Sequence, residues 1–128
     1  MISREEYFSK RDPFAFPFWQ KATIGIAGAG GLGSNIAISL ARAGIGTLII
    51  ADYDIVTLEN LNRQQYTIAQ LGKLKVDALA ENIRSFNPFI NLVLHSVKIT
   101  PANFDAIFKE ADLLLEAMDE ADQKEMLI

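Results

Sequence analysis

The residues with the most chemical promise fall in three clusters. The first is Gly28-Ala29-Gly30-Gly31-Leu32-Gly33. Bare glycine backbone lets a phosphate come close, and a helix starting there adds unpaired N–H groups and the positive end of its dipole. Such a turn is a weak signal alone and a stronger one between a strand and a helix. The second is Asp52, about 20 residues further on, where a carboxylate can accept hydrogen bonds from ribose hydroxyls. These two features suit a dinucleotide dehydrogenase as well as an ATP enzyme. Nearby Asp54 reads as a solvated loop carboxylate. The third cluster is Glu59-Asn60-Leu61-Asn62-Arg63-Gln64-Gln65. A dehydrogenase has no need of it, whereas an amide-rich segment with an arginine suits a triphosphate, because guanidinium offers paired donors to phosphate oxygens. Gly72-Lys73-Leu74-Lys75 then brings two further cations toward the same place, although lysines at a helix start are more commonly solvated.

The elements that must position these residues alternate. Ala22 to Gly28 is a short apolar run ending in glycines, a buried strand. Gly31 to Ala43 has helical spacing with Leu32, Ile36, Leu40 and Ala43 on one face, stopped by Gly44 and Gly46. Thr47 to Ala51 is a second strand and Asp54 to Leu71 a loop. Lys73 to Phe86 is a second amphipathic helix with Val76, Leu79, Ala80 and Ile83 inward, closed by Asn87-Pro88. Ile90 to Val97 is a third strand. Thr100 reads as the cap of a helix entered by Pro101 and running to Lys109, and Leu113 to Ala117 is a fourth strand. The order βαβαβαβ implies a Rossmann-like α/β fold: a parallel sheet with helices on both faces. Only the first half of a doubly wound sheet is evident. Residues 1–20 form an arm in which Phe14, Phe16, Phe18 and Trp19 suit packing on a core or a partner, and 21–128 form the nucleotide-binding domain. Asp119 to Ile128 reads as the opening of another helix, which suggests an N-terminal fragment of a longer domain.

Bulk properties narrow the classes. Half of the 128 residues are apolar and the net charge is -4, an ordinary globular balance and a poor one for nucleic acid or an anionic membrane. The absence of cysteine excludes disulfides, thiol nucleophiles and cysteine-based zinc sites. No apolar run reaches the length of a membrane helix and the first residues are not a secretory signal, so a cytoplasmic location is expected. The single histidine, His95, falls on the third strand and reads as structural.

Taken in order, GAGGLGSNIAISLARAGIG, ADYDIVTLENLNRQQY and GKLKVDALAENIRSFNP resemble the adenylation domain of the ThiF, MoeB and ubiquitin-activating enzymes, from about Lys21 onward. NLNRQQY and the tail EAMDEADQKEML are most similar to the short ThiF proteins of thiamin biosynthesis. The resemblance implies a dimeric adenylyltransferase that uses ATP and Mg²⁺ to adenylate the C-terminal glycine of a ubiquitin-like sulfur carrier, ThiS. It implies that Gly28, Gly30 and Gly31 lie at the phosphates and that Asp52 holds the ribose. Asn60, Arg63 and Gln64 then line the triphosphate channel, Lys75 neutralises phosphate charge and Asp119 binds Mg²⁺. Arg63, Lys75 and Asp119 would be the catalytic set. A solvated Lys75 and an Asp119 that caps a helix are the alternatives. Where many relatives carry Thr-Asp-Asn, this chain has Met118-Asp119-Glu120; the zinc-binding and thioester cysteines of other members are absent, and Arg11 is a poor match to an arginine that some members donate across a dimer. The rival functions are an NAD-dependent oxidoreductase, a family member acting on another carrier or on a tRNA base, and an inactive dimerisation module.

Overall fold

The computed structural model describes residues 1–10 and 15–118. Strands β1 (Thr23–Ala27), β2 (Thr47–Ala51), β3 (Asn91–His95) and β4 (Leu113–Glu116) form one parallel sheet in the order β3-β2-β1-β4. The most apolar runs, β1 and β2, occupy the centre and are buried almost throughout, while β3 and β4 form the half-exposed edges. Alternating side chains serve two cores. Ile24, Ile26, Leu48 and Ile50 pack under α3 (Gly31–Ala43) and α4 (Lys75–Phe86), and Ala27, Ile49 and Ala51 pack against α5 (Phe104–Phe108). Helices therefore cover both faces, as the alternation predicts. Among the described residues no helix is long and apolar enough to cross a membrane.

The inward face of α4 is as predicted: Val76, Leu79, Ala80 and Ile83 are all buried. That of α3 is not. Leu32 and Ala43 are exposed, and the buried residues are Gly33, Ser34, Ala37 and Ala41, with Ile36 and Leu40 flanking them. Close approach to the sheet requires small side chains on the contact line, so the bulkiest residues move to its margins. The helix after Thr100 starts later than predicted, at Phe104 rather than Pro101, but Thr100 still forms a reciprocal capping pair ahead of it: its N–H donates to Asn103 Oδ1 (2.8 Å) and its Oγ1 accepts from the Asn103 N–H (3.3 Å). The predicted loop after β2 contains two 3₁₀ helices, Leu58–Asn62 and Ile68–Gln70. Each is opened by a threonine N–H that donates to an amide oxygen three residues on, Asn60 Oδ1 (2.9 Å) or Gln70 Oε1 (3.0 Å).

The first residues form α1 (Arg4–Ser9) and α2 (Phe16–Trp19). Phe8 and Phe16 stack with ring centroids 5.3 Å apart and are buried beside Gly44 at the end of α3, whereas Phe18 stays exposed. The placement of β4 matters most for function. It pairs with β1 on the side away from β2, so the strand order reverses beside the end of β1. Both flanks of that switch point are present, which corrects the expectation of one flank only. Ligand crevices in parallel sheets form at this place, beyond the carboxyl ends of the strands.

Candidate active site

Leaving β1, the chain must turn sharply into α3. Gly28 makes the turn with φ 107°, and a Cβ there would lie 2.7 Å from the Ala117 carbonyl oxygen next to β4. Gly33, in the first turn of α3, lies so close to Gly28 that a Cβ would stand 1.9 Å from its carbonyl oxygen. Helix and turn are thus pressed together, and the opening of α3, whose first N–H groups have no carbonyl partner within the helix, lines a crevice. The crevice has a volume of about 370 Å³. Gly28, Gly30, Gly31, Asp52, Asn60, Arg63, Gln64 and Lys75 all line it, with Asp54, Ala117 and Met118.

Asp52 ends its strand with both carboxylate oxygens engaged. Oδ2 accepts from the Ala29 N–H (2.7 Å) and Oδ1 from the Asp54 N–H (2.8 Å), so this side chain braces the glycine turn. Each oxygen can take a further donor. Tyr66, which the sequence reading passed over, clamps the same turn: its hydroxyl donates to the Ala29 carbonyl at 2.5 Å. Burial, then the nearby charges of Asp52 and Asp54, raise its ionisation well above the usual tyrosine range.

Lys75 is buried, with 5% of its surface exposed. Its Nζ lies 3.7 Å from Asp54 Oδ2, and its backbone N–H donates to the Asp54 carbonyl (2.9 Å). The solvated alternative for Lys75 therefore fails, whereas Asp54 is an exposed loop carboxylate as expected and, in addition, the partner of Lys75. Lys73 turns elsewhere: its Nζ pairs with Glu81 at 2.9 Å and does not line the crevice, a correction to the expected second cation. Arg63 is exposed, and its Nη1 donates to the Glu59 carbonyl and to Asn62 Oδ1, each at 3.1 Å. Its stem runs along Gly31, where a Cβ would be 3.7 Å from Cγ, Cδ and Nε. Asn60 and Gln64 are buried, and Gln64 Oε1 has no hydrogen-bond partner. A buried acceptor in that condition is costly and marks a place where a ligand donor or a water belongs.

Beside the crevice lies a narrower slot that shares Gly28, Asp52 and Met118 with it and adds Tyr53, Val97, Lys98 and Ile99. No periodicity points to it, because its walls come from loops after different strands. Asp119 and Arg11 lie outside the described residues. His95 is half-buried on β3 and lines neither the crevice nor the slot. Among the described residues there is no group of three or more His, Cys, Asp or Glu side chains arranged to hold a metal.

Residues 18–128 match the model of the ThiF family. The chain belongs to the ThiF family. Among relatives of this ThiF-family chain is a probable adenylyltransferase/sulfurtransferase, MoeZ, of Mycobacterium tuberculosis, 38% identical over 78% of the chain and 26% of the relative. The adenylyltransferase and sulfurtransferase uba4 of Emericella nidulans is 42% identical over 77% of the chain and 20% of the relative. The chain thus spans about a fifth to a quarter of the length of these curated relatives. Among solved structures, the E. coli tRNA N6-threonylcarbamoyladenosine dehydratase TcdA in complex with AMP superposes with a TM-score of 0.85 at 30% identity, over 91% of the chain and 50% of TcdA. TcdA is also known in complex with ATP.

Proposed function

We propose that this chain is the nucleotide-binding part of a cytoplasmic, dimeric enzyme that transfers AMP from ATP to the C-terminal carboxylate of a ubiquitin-like sulfur carrier. One observation carries the reading: the crevice at the switch point sets a buried lysine, an arginine and a buried amide whose oxygen lacks a partner against a glycine turn and a helix N-terminus. That is a triphosphate environment, and relatives named adenylyltransferase/sulfurtransferase support the carrier class.

The proposed reaction needs no covalent help from the protein. A carboxylate oxygen of the carrier attacks the α-phosphorus, the bond to the bridging oxygen of pyrophosphate breaks, and pyrophosphate leaves with the electron pair. Catalysis is positioning plus charge stabilisation. The N–H groups at Gly31 and its neighbours cradle phosphate oxygens. Lys75 and Arg63 neutralise the charge that gathers on the leaving pyrophosphate. Asn60 uses its Oδ1 on the Thr57 N–H, which leaves its amide nitrogen for phosphate. The Gln64 amide nitrogen lies toward Gly30, the end a phosphate would use, and its orphan oxygen awaits a donor such as a hydroxyl. Asp52 accepts from the ribose, and the adjoining slot receives the base. Mg²⁺ needs only one or two protein carboxylates besides the substrate's own phosphates, so Asp119, with Asp54 at the crevice, is a chemically suitable donor set for neutralising the triphosphate.

We assign the carrier to the ThiS type, of thiamin thiazole formation, on NLNRQQY and the tail resemblance. A second reading has a specific observation behind it. A TcdA structure superposes over 99% of the chain, and TcdA is named a tRNA N6-threonylcarbamoyladenosine dehydratase, which makes a modified tRNA adenosine the rival acceptor. The net charge of -4 speaks against a tRNA surface on this part of the protein. ATP–pyrophosphate exchange on the full-length protein tests both. Exchange that depends on a ThiS-type carrier is expected; exchange with modified tRNA alone would move the assignment, and none with any acceptor would refute adenylation.

A further inference from the structure

The segment that presents Arg63 is fastened to α3 by a side chain that does not itself line the crevice. Asn35 follows Gly31 by one helical turn. Its Nδ2 donates to the Gly31 carbonyl (2.5 Å) and to the Arg63 carbonyl (3.0 Å). Its Oδ1 accepts from Gln65 Nε2 (2.6 Å). Next to it, Ser34 Oγ accepts from the Gln65 N–H (3.2 Å). From the other side, Asn82 of α4 donates to the Gln65 carbonyl (2.7 Å). The backbone around Arg63 is thus clipped between two helices.

Only an amide fits the position of Asn35. It meets two carbonyl oxygens with two N–H donors and one N–H donor with its oxygen; a carboxylate of the same shape would face both carbonyls with no proton to give. Arg63 is exposed, so little packing holds its guanidinium, and a long side chain resists being held. The carbonyl that Asn35 grips belongs to the residue whose stem lies on Gly31.

We propose that Asn35 is a positioning residue for ATP, locking the Arg63 backbone to the helix whose N-terminus opens the phosphate site, so that guanidinium and helix N–H groups act on the same phosphates. The proposal rests on the reading that the crevice binds ATP. Its test is a double-mutant cycle on the full-length protein, with ATP affinity read by calorimetry and melting temperature read alongside. Asn35→Ala is expected to weaken ATP about fivefold, the worth of roughly one hydrogen bond, with little change in melting, because alanine favours the helix. In an Arg63→Ala background the same substitution is expected to change ATP affinity less than about twofold, since no guanidinium remains to be misplaced. Gln65→Ala, which opens the clip from its exposed side, should show the same dependence on Arg63 with a smaller loss. Equal losses in both backgrounds would mean a merely structural role and overturn the proposal. Unchanged ATP affinity in Asn35→Ala, with ATP weakened by Arg63→Ala, would overturn it while leaving the nucleotide reading standing. A wild-type protein that binds no ATP would overturn both.

Discussion

Replacing Lys75 by methionine separates what this buried cation does for the fold from what it does for the ligand. The Nζ to Asp54 Oδ2 distance is 3.7 Å. At an effective dielectric of about 20 that corresponds to roughly 4–5 kcal/mol of attraction. Against it stands the desolvation of a side chain with 7% exposure, an effective penalty of about several kcal/mol per buried ion. The two nearly cancel. Asp54 keeps 48% of its side chain in solvent, so losing its partner does not strand a buried charge. Methionine retains the apolar stem and adds no polar atom. Lys75→Met is therefore expected to change stability by no more than about 1 kcal/mol in either direction. The triphosphate loses a desolvated cation, a loss of about 2–4 kcal/mol, or roughly 30- to 1000-fold in ATP affinity and pyrophosphate exchange. Chemical denaturation and calorimetry with ATP on the same preparation measure both quantities. A protein that unfolds easily yet binds ATP normally would refute the reasoning and make Lys75 structural.

The remaining expectations follow from other contacts. Arg63→Ala should cut pyrophosphate exchange by about 2–4 kcal/mol while leaving the melting temperature almost unchanged, because the side chain is exposed; unfolding with ATP binding intact would assign it to structure. ATP at about 100 times its dissociation constant should stabilise the protein by roughly 2.7 kcal/mol, and NAD at the same concentration should not; the reverse ranking in a melting experiment would favour the oxidoreductase. Gly33→Ala should destabilise by roughly 3 kcal/mol or more in a denaturant titration, since its Cβ would stand 1.9 Å from a backbone oxygen. Tyr66→Phe leaves the buried Ala29 carbonyl without its donor and should cost about 1–3 kcal/mol. Because folding raises the ionisation of Tyr66, its contribution is fully present below the unfolded value, about pH 10, and is lost as pH rises beyond it. The alkaline fall in wild-type stability should therefore shrink in Tyr66→Phe, and an unchanged alkaline limb would refute the linkage.

Much of this molecule is legible locally. Continuous apolar runs, period-3.6 patterns, glycine stops and Asn87 mark the strands, α3 and α4 to within a few residues, because an unbroken apolar run reports a strand buried on both faces and helical spacing reports a helix buried on one. Asp52 and Lys75 were nameable because one follows a strand end and the other opens a helix, and Asn60, Arg63 and Gln64 because an amide-rich run with an arginine suits phosphate and resembles the family's, within the loop between them. What local pattern misjudged were quantities set by the distance between segments. The inward face of α3 depends on how closely the helix approaches the sheet, so Gly33 and Ala37 are buried and Leu32 is not. Asp54 and Lys75 are separated by two loop turns and meet only because the chain returns beside its own start, through the bridge between Ile55 and Leu74. Tyr66 reaches Ala29 across thirty-seven positions, a contact with no sequence period. Sequence alone determined which elements form, that they make a parallel α/β layer, and which residue types could meet a triphosphate. Tertiary structure decided which of those residues meet. The sheet register places β4 against β1 and closes the crevice at Ala117 and Met118, and charge partners and burial follow from distances in space that spacing along the chain does not encode.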